Sequence, residues 1–417
     1  MNHSDLIYDW NIVKGRDIPA GRNVLLNDET LRDGLQNPSV RDPSIQEKIQ
    51  ILHLMEDLGI DTVNIGLPGA GPRAYADTEA LAREIVSCRM RVRPNCAART
   101  HKNDIHPIAE ISQKVGMPIE AATFLGSSPI RRLVEDWTVE HLQRTTEDAV
   151  KFAVSEGLPV MYVTEDTTRA DPETVKILYS TAIRCGARSI VLCDTVGHAE
   201  PRGAFNLVKF AIDEVVKPSG EKIRVDWHGH NDRGLSIANS LAALAAGAHQ
   251  VHAAANSLGE RVGNTPMELM LVNLRLMGLI DRDLSKLKEY SETVARATRT
   301  VVPPNYPVVG RDAFRTATGV HAAAIIKAYR KNDVVLADSV YSGVPAHLFG
   351  LEQIIEIGPL SGRSNVTYWL EKQGIDATDE LVDRIFQAAK HAERILTDAE
   401  LFALCGSATH RKASVKS

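Results

Sequence analysis

The stretch VDWHGHNDRG, residues 225–234, combines the pattern of a buried β-strand with that of a polar site. Alternate side chains of a strand point to the same face, so His228 and His230 share a face with Asp226, whereas Trp227 faces the other way. Imidazole is a ligand for zinc, manganese and iron, and carboxylates favour magnesium and manganese. The stretch by itself leaves two interpretations open: a metal site at a strand end, or two solvated histidines on a surface strand.

The same order, a short apolar run and then a run of helical length, recurs from residue 23 to residue 277. The predicted strands are 23–28, 61–66, 90–97, 118–124, 159–166, 188–194, 223–230 and 249–255. The predicted helices are 42–59, 73–88, 103–115, 138–156, 171–184, 202–215, 232–246 and 265–277. Strands that alternate with helices pair in parallel. Eight such units in roughly 250 residues predict an α/β fold, a (β/α)8 TIM barrel.

The alternative fold is a doubly wound open sheet, but no GxGxxG motif follows the first predicted strand. In the first helix the pattern predicts Asp42 as the N-cap, Pro43 at the first helical position and Gly59 just past the end.

Polar segments follow five of the predicted strands, which is where a barrel carries its catalytic groups. They are DETLRDGLQN (28–37), TEDTTR (164–169), DTVGH (194–198), HGHND (228–232) and NSLGERVGN (256–264). This placement favours a metal site over solvated histidines. Two histidines need further oxygen ligands, and spacing alone does not choose among Asp28, Asp33, Glu165, Asp166, Asp194 and Asn264.

After about residue 280 the alternation stops, and a Pro-rich linker at 302–307 leads into helical patterns. We therefore divide the chain into a catalytic barrel at 1–280 and a linker with a mainly helical accessory subdomain at 281–417.

The composition of the 417-residue chain, 44% hydrophobic and 24% charged, is that of a soluble globular protein. A net charge of −5 without a basic block argues against nucleic-acid binding. The sequence contains no signal peptide and no apolar run of membrane-spanning length. The five cysteines form no CxxC pair, which predicts reduced thiols in the cytoplasm, with Cys193 as a small core residue.

Taken together, DETLRDGLQNP, EDTTRADPE, DTVGHAEP, HGHND and LGERVGN resemble the signature segments of the DRE-TIM metallolyase superfamily. The resemblance is strongest to the 2-isopropylmalate synthase and homocitrate synthase branch. It runs from about residue 23 to about 400 and includes GVHAAAIIK and GPLSGRSN after the linker. It implies an acyltransferase that condenses acetyl-CoA with a 2-oxo acid, using Mg, Mn, Co or Zn. It also implies a homodimer, because the accessory subdomain of relatives reaches over the neighbouring barrel.

The resemblance also implies roles for single residues. The metal ligands would be Asp33, His228, His230 and Asn264. Arg32 would stabilise the alkoxide that develops when the metal polarises the oxo group. The accessory His321, coupled to Tyr341, would be the general base, and Glu165 is the second candidate for that role. Without the resemblance, His321 would be interpreted as a helix-capping or core histidine.

Four residues are predicted to bind the substrate: Gln36, Arg131, Arg169 and Thr195. The resemblance places Thr195 at the carboxylate of the oxo acid. Arg169 would orient a carboxylate or form an ion pair at the barrel rim.

Three positions depart from the synthase pattern. RDGLQN (32–37) resembles 3-hydroxy-3-methylglutaryl-CoA lyases, Asn64 stands where synthases usually carry glutamate, and Arg131 where they carry histidine. The altered charge predicts a more anionic oxo acid, unless Arg131 pairs with Glu135 one helical turn away.

Two other functions compete with the synthase. The first is lyase-type cleavage of a hydroxyacyl-CoA, although NSLGERVGN lacks the cysteine of the lyase loop. The second is a non-catalytic paralogue, against which the retained catalytic residues argue. The sequence shows no leucine-type regulatory domain, so we expect no inhibition by leucine.

Overall fold

The computed structural model describes residues 6–406 except 14, 16 and 20. The chain divides into two compact units, Lys14–Val302 and a second unit of Met1–Val13 with Pro303–Ser417.

The first unit is built around eight parallel strands in a closed barrel. They are β1 Leu25–Asp28, β2 Thr62–Asn64, β3 Arg93–Arg99, β4 Glu120–Gly126, β5 Val160–Glu165, β6 Ser189–Asp194, β7 Arg224–Gly229 and β8 Gln250–Ala253. The barrel closes because β1 pairs with both β2 and β8, with Leu25 opposite Gln250. The predicted TIM barrel is therefore confirmed, and the open-sheet alternative is wrong.

Helices follow the strands in the predicted order. They are α1 Ile45–Asp57, α2 Pro72–Ser87, α3 Lys102–Val115, α4 Pro129–Glu135, α5 Val139–Ser155, α6 Pro172–Cys185, α7 Pro201–Ala211, α8 Lys217–Ser219, α9 Ser236–Ala246, α10 Met267–Leu276 and α11 Leu287–Thr298. The short α4, capped by Ser128, is an addition that the sequence did not predict. A π-helical turn at Ile212–Val216 joins α7 to α8.

The start of α1 corrects one expectation. Ser44, and not Asp42, is the N-cap: its backbone N–H and hydroxyl donate to the Glu47 carboxylate, at 2.7 and 2.8 Å, in a capping box. Asp42 forms an ion pair with Lys48 at 2.7 Å instead. The capping box satisfies more of the free N–H groups of the first turn than Asp42 could.

Helix α11, which the sequence division assigned to the second part of the chain, packs on the barrel. Tyr290 donates its hydroxyl hydrogen to Asp28 at the end of β1. The side-chain amide of Asn256, after β8, donates to the Ser291 carbonyl at 2.9 Å.

Strand β7 has the alternation that the sequence predicted. Val225 and Trp227 are fully buried on the outer face of the strand, and Asp226 lies on the inner face. The register places His228 opposite Cys193 of β6 and His252 of β8, so the three residues occupy one level of the barrel interior.

The second unit is mainly helical, as predicted. Its helices are α12 Gly319–Tyr329, α13 Val334–Ser339, α14 Arg363–Lys372, α15 Asp379–His391 and α16 Asp398–Cys405. A two-stranded parallel sheet joins β9 Arg315–Thr316 to β10 Ile354–Ile355. Among the described residues, no helix is both long and apolar enough to span a membrane.

Candidate active site

Three buried side chains meet at the carboxyl end of the barrel. Asp33 follows β1, and His228 and His230 come from the end of β7. The two Nε2 atoms are 3.3 Å apart, and they lie 3.5 Å and 3.8 Å from Oδ2 of Asp33. Atoms that share one ion at about 2.0–2.2 Å lie roughly 3–3.5 Å apart, so the spacing suits a single divalent ion.

Asn264, in the loop after β8, is the fourth predicted ligand. Its backbone forms an antiparallel bridge with His230. The amide nitrogen donates to the Leu258 carbonyl at 3.1 Å. The buried Oδ1 has no hydrogen-bond partner within the described part of the chain. A buried carbonyl oxygen without a partner is costly, and a cation would satisfy it. The four predicted ligands therefore fit a metal.

The electrostatics of the trio point the same way. Burial raises the pKa of Asp33, but Arg32 and the two histidines outweigh burial and hold that pKa well below its usual range. Burial, helped by His228, lowers the pKa of His230 to about 4. An ionised carboxylate and a neutral imidazole are the forms that bind metals.

Two aspartates that the sequence left open as ligands have other roles. Asp28 accepts hydrogen bonds from the Thr30 amide at 2.8 Å and from Tyr290. Asp194 accepts from the backbone amides of His198 and Ala199, at 2.8 and 3.1 Å. Asp33 is the aspartate that joins the two histidines.

Arg32 lies beside the trio and is held by two carboxylates. Its Nη2 donates to Glu29 at 2.6 Å and its Nη1 to Asp33 at 3.3 Å. Its buried Nε–H has no partner among residues that the structure describes. One charged donor thus remains available to a ligand.

Sequence reasoning missed Glu29 and His252. The ring of His252 lies between two carboxylates: Nδ1 is 3.1 Å from Glu29 and Nε2 is 3.5 Å from Asp226. Burial raises the pKa of Glu29, but Arg32 and His252 outweigh it and lower that pKa to about 2. Burial lowers the pKa of His252, but the two carboxylates outweigh it and raise that pKa to about 8. The sequence did contain an indication of His252, because Gln250 and His252 are two residues apart in a predicted strand and so share one of its faces.

A cavity of about 160 Å³ opens over these groups. Both apolar and polar side chains form its wall, and the polar ones are more numerous. The apolar part includes Ala97, Ala122, Phe124, Met161, Val163, Val191 and Cys193, and the polar part includes Arg32, Gln36, Asn64, Glu165, Thr195 and Glu260.

Glu165 and Thr195 line the cavity as the sequence led us to expect. Burial raises the pKa of Glu165, and Arg131 and Arg32 oppose that shift. The Thr195 hydroxyl oxygen accepts a hydrogen bond from the Asp166 amide at 2.8 Å, which leaves its own O–H free to donate.

Two arginines predicted to bind substrate are engaged in ion pairs. Arg131 pairs with Glu135 at 3.0 Å, the alternative that the sequence left open, and lies over the Trp137 ring at 5.7 Å. Arg169 pairs with Asp166 at 2.7 Å.

His321 and Tyr341 belong to the second unit. Their rings stack, with centroids 4.1 Å apart and planes 28° apart. Both side chains are exposed, and His321 lies in the first turn of α12, so it is not a buried core histidine.

Comparison with known proteins agrees with this geometry. Residues 23–294 match the model of the HMGL-like family. A probable 2-isopropylmalate synthase of Methanopyrus kandleri is 33% identical over 88% of this chain and 69% of its own length. A homocitrate synthase of the same organism is 30% identical over 92% of this chain and 90% of its own.

A solved structure, the HMG-CoA lyase of Brucella melitensis, superposes with a TM-score of 0.55 at 17% identity. It covers 67% of this chain and all of the lyase, and it supports the barrel fold alone. The family model covers most of the chain, and the two synthases are similar over about nine-tenths of it. The chain therefore belongs to the HMGL-like family, in agreement with the DRE-TIM motifs of its sequence.

Proposed function

We propose that the protein is a metal-dependent acyltransferase that condenses acetyl-CoA with a 2-oxo acid. Water then hydrolyses the thioester of the condensation product, so the products are a 2-substituted malate and free CoA. The observation that carries this proposal is the convergence of Asp33, His228 and His230 next to Arg32, in a chain whose sequence relatives are synthases of this type.

The divalent ion, when bound by Asp33, His228, His230 and Asn264, would act as a Lewis acid on the oxo group. Arg32 donates from its free Nε–H to the oxygen that gains negative charge in the condensation. Glu29 and Asp33 hold the guanidinium in place, so little reorganisation is needed when that charge develops.

Thr195 and Gln36 line the same cavity. In our proposal the free hydroxyl hydrogen of Thr195 donates to the carboxylate of the oxo acid, and the Gln36 amide lies beside it. Arg169 serves chiefly to hold Asp166, whose backbone amide in turn orients Thr195.

The proton on the methyl group of acetyl-CoA needs an acceptor. We assign this role to His321, with Tyr341 stacked on it, because imidazole accepts a proton near neutral pH. Glu165 is the second candidate, since it lines the cavity and burial raises the pKa of its carboxyl.

The nature of the oxo acid is the finer question. The prediction of an anionic substrate rests on three positions, and the cation among them, Arg131, pairs with Glu135. Apolar side chains such as Ala97 and Met161 and polar ones such as Asn64 line the cavity together, so we test oxo acids with apolar and with anionic side chains. We further propose a cytoplasmic homodimer that uses Mg, Mn, Co or Zn.

The test is CoA release from acetyl-CoA by metal-stripped protein, measured with a thiol reagent before and after Mn or Mg is added. The panel of oxo acids is pyruvate, 2-oxoisovalerate, 2-oxoglutarate, oxaloacetate and phosphonopyruvate. Release that requires both metal and one oxo acid supports the synthase. Metal-dependent acetyl-CoA formation from 3-hydroxy-3-methylglutaryl-CoA, without release in the panel, would mean that the protein is a lyase.

A further inference from the structure

A line of alternating charges runs through the interior of the barrel and ends at Arg32. We call it the ionic column, and it consists of Glu120, Arg224, Asp226, His252, Glu29 and Arg32. Acidic and basic side chains alternate at every step. Along the column the side chains are 16, 18, 0, 4, 2 and 19% exposed, so the middle is shielded from water and only the ends approach it.

The lower half of the column fixes Asp226. The Arg224 Nη2 lies 2.9 Å from Glu120, and its Nε donates to both carboxylate oxygens of Asp226 at 3.0 Å. Ser189 donates to the other oxygen of Glu120 at 2.8 Å. Arg224 therefore bridges Glu120 and Asp226, with one N–H shared between the two oxygens of the buried Asp226 carboxylate.

In the upper half of the ionic column, the imidazole ring of His252 links Asp226 to Glu29 and so to Arg32. His252 faces Asp226 with Nε2 and Glu29 with Nδ1, so it separates two buried carboxylates that would otherwise repel each other. Glu29 Oε1 also accepts from the Asn27 amide at 2.8 Å, and its other oxygen binds Arg32 at 2.6 Å.

We propose that His252 is a positioning residue: it holds Glu29 in the orientation that presents Arg32 to the reacting oxygen. This inference rests on the proposed function, in which Arg32 stabilises the developing negative charge. His252 acts through Glu29 and not as a metal ligand, although its ring lies close to His228, at 5.7 Å between centroids.

Two variants separate the contacts of the ring. His252→Asn places an amide N–H near the position of Nδ1 and keeps the donor to Glu29. His252→Leu removes both donors. We expect His252→Leu to lower kcat roughly 10- to 100-fold, the usual effect of losing a residue that orients a metal-site group. The KM for the oxo acid and the Kd for Mn should change less than about threefold, and His252→Asn should recover most of the lost kcat.

A double-mutant cycle tests whether His252 acts through Glu29. If it does, His252→Leu has little further effect in a Glu29→Gln background, because the partner that it positions is already altered. Additive losses in kcat would overturn the proposal. So would a loss of Mn affinity greater than about tenfold in His252→Leu, which would make His252 a ligand.

The matched control is Lys48→Met, which removes another buried charge, one that pairs with Asp42 and Asp77 at 2.7 Å each, outside the ionic column. It should lower stability and leave kcat unchanged.

A readout independent of activity is the Nε–H resonance of Arg32 in protein labelled with ¹⁵N-arginine, assigned with Arg32→Lys.

We expect this resonance to shift in His252→Leu, to stay near its wild-type position in His252→Asn and to be unaffected in Lys48→Met. An unchanged resonance in His252→Leu would overturn the proposal. Wild-type protein that releases no CoA with any oxo acid would refute the proposed function, whereas the resonance would still report whether His252 positions Arg32.

Discussion

At the scale of single residues, the site is marked by polar atoms that the protein leaves unsatisfied. Within the described residues, Nε of Arg32, Nδ1 of His230 and Oδ1 of Asn264 are buried without a hydrogen-bond partner. Buried polar groups are nearly always paired in folded proteins. A bound cation would satisfy Oδ1 of Asn264, and a substrate oxygen would satisfy Nε–H of Arg32.

Asp33→Asn should weaken metal binding most strongly, because it removes the anionic ligand and leaves two neutral imidazoles. We expect the Kd for Mn to rise more than about 100-fold, with a parallel loss of kcat/KM. Isothermal titration with Mn would measure the affinity. Asp213→Asn, a charge change at an exposed ion pair with Lys209 and Lys217, is the control and should bind Mn normally.

His252 should make stability depend on pH. Its pKa is raised in the folded protein to about 8, from an ordinary value of 6.5, so its contribution is fully present below pH 6.5 and is lost as the pH rises through 8. The shift corresponds to about 2 kcal/mol. Urea unfolding of metal-free wild type and His252→Asn would measure this. The free energy of unfolding of the wild type should exceed that of His252→Asn by roughly that much more at pH 6 than at pH 9. If the difference in free energy of unfolding is the same at pH 6 and pH 9, the pKa of His252 is not raised in the folded protein.

At the scale of elements, the loops at the ends of β1, β7 and β8 carry the four proposed metal ligands, and their geometry depends on local backbone requirements. In the loop after β8, Gly263 has φ +91°, and an added Cβ would lie 1.5 Å from the Ser257 carbonyl oxygen. Only glycine fits this position. The next residue is Asn264, so the glycine sets where that amide side chain lies.

Gly263→Ala should therefore displace Asn264 and weaken Mn binding by more than about tenfold, even if the barrel stays folded. Isothermal titration and thermal unfolding would separate the two effects. Gly203→Ala, in helix α7 where the added Cβ would lie 4.0 Å from the Ala199 Cβ, is the control and should be neutral or slightly stabilising. Normal Mn affinity in Gly263→Ala would argue against Asn264 as a ligand.

The start of α1 offers a prediction about stability alone. Ser44→Ala removes the cap of the helix and should lower the free energy of unfolding by about 1 kcal/mol. Ser39→Ala, at an exposed position before the helix, should change it by less than about 0.5 kcal/mol. Denaturant titration would measure both. A loss at Ser44 no larger than that at Ser39 would contradict the capping assignment.

At the scale of the whole molecule, the proposed chemistry is shared between two compact units. The barrel unit holds the proposed metal ligands, Arg32 and the cavity, whereas His321 and Tyr341 belong to the second unit. Metal binding and proton abstraction should therefore be separable by mutation.

His321→Ala should lower the rate of CoA release more than about 100-fold and leave Mn affinity unchanged, if His321 accepts the proton. Glu165→Gln should have the smaller effect of the two. His391→Ala, which alters an exposed histidine of the same unit, is the control. If Glu165→Gln abolishes release while His321→Ala retains it, the base is Glu165.

The sequence by itself determined the barrel, because eight apolar runs alternate with helical ones and parallel strands of that kind have few ways to bury both faces. It also indicated that the polar segments follow the carboxyl ends of the strands, where a barrel holds its catalytic groups. The resemblance selected Asp33, and the structure brings Asp33 within 3.5 Å of His228.

Only the tertiary structure decided what the spacing along the chain cannot encode. Glu29 and His252 are more than two hundred residues apart and meet because β1 and β8 close the barrel. Arg131 could bind a substrate or pair with Glu135, and only packing shows which partner its guanidinium reaches. Strand periodicity is a local property of the chain, whereas ion pairs between strands depend on the closed sheet.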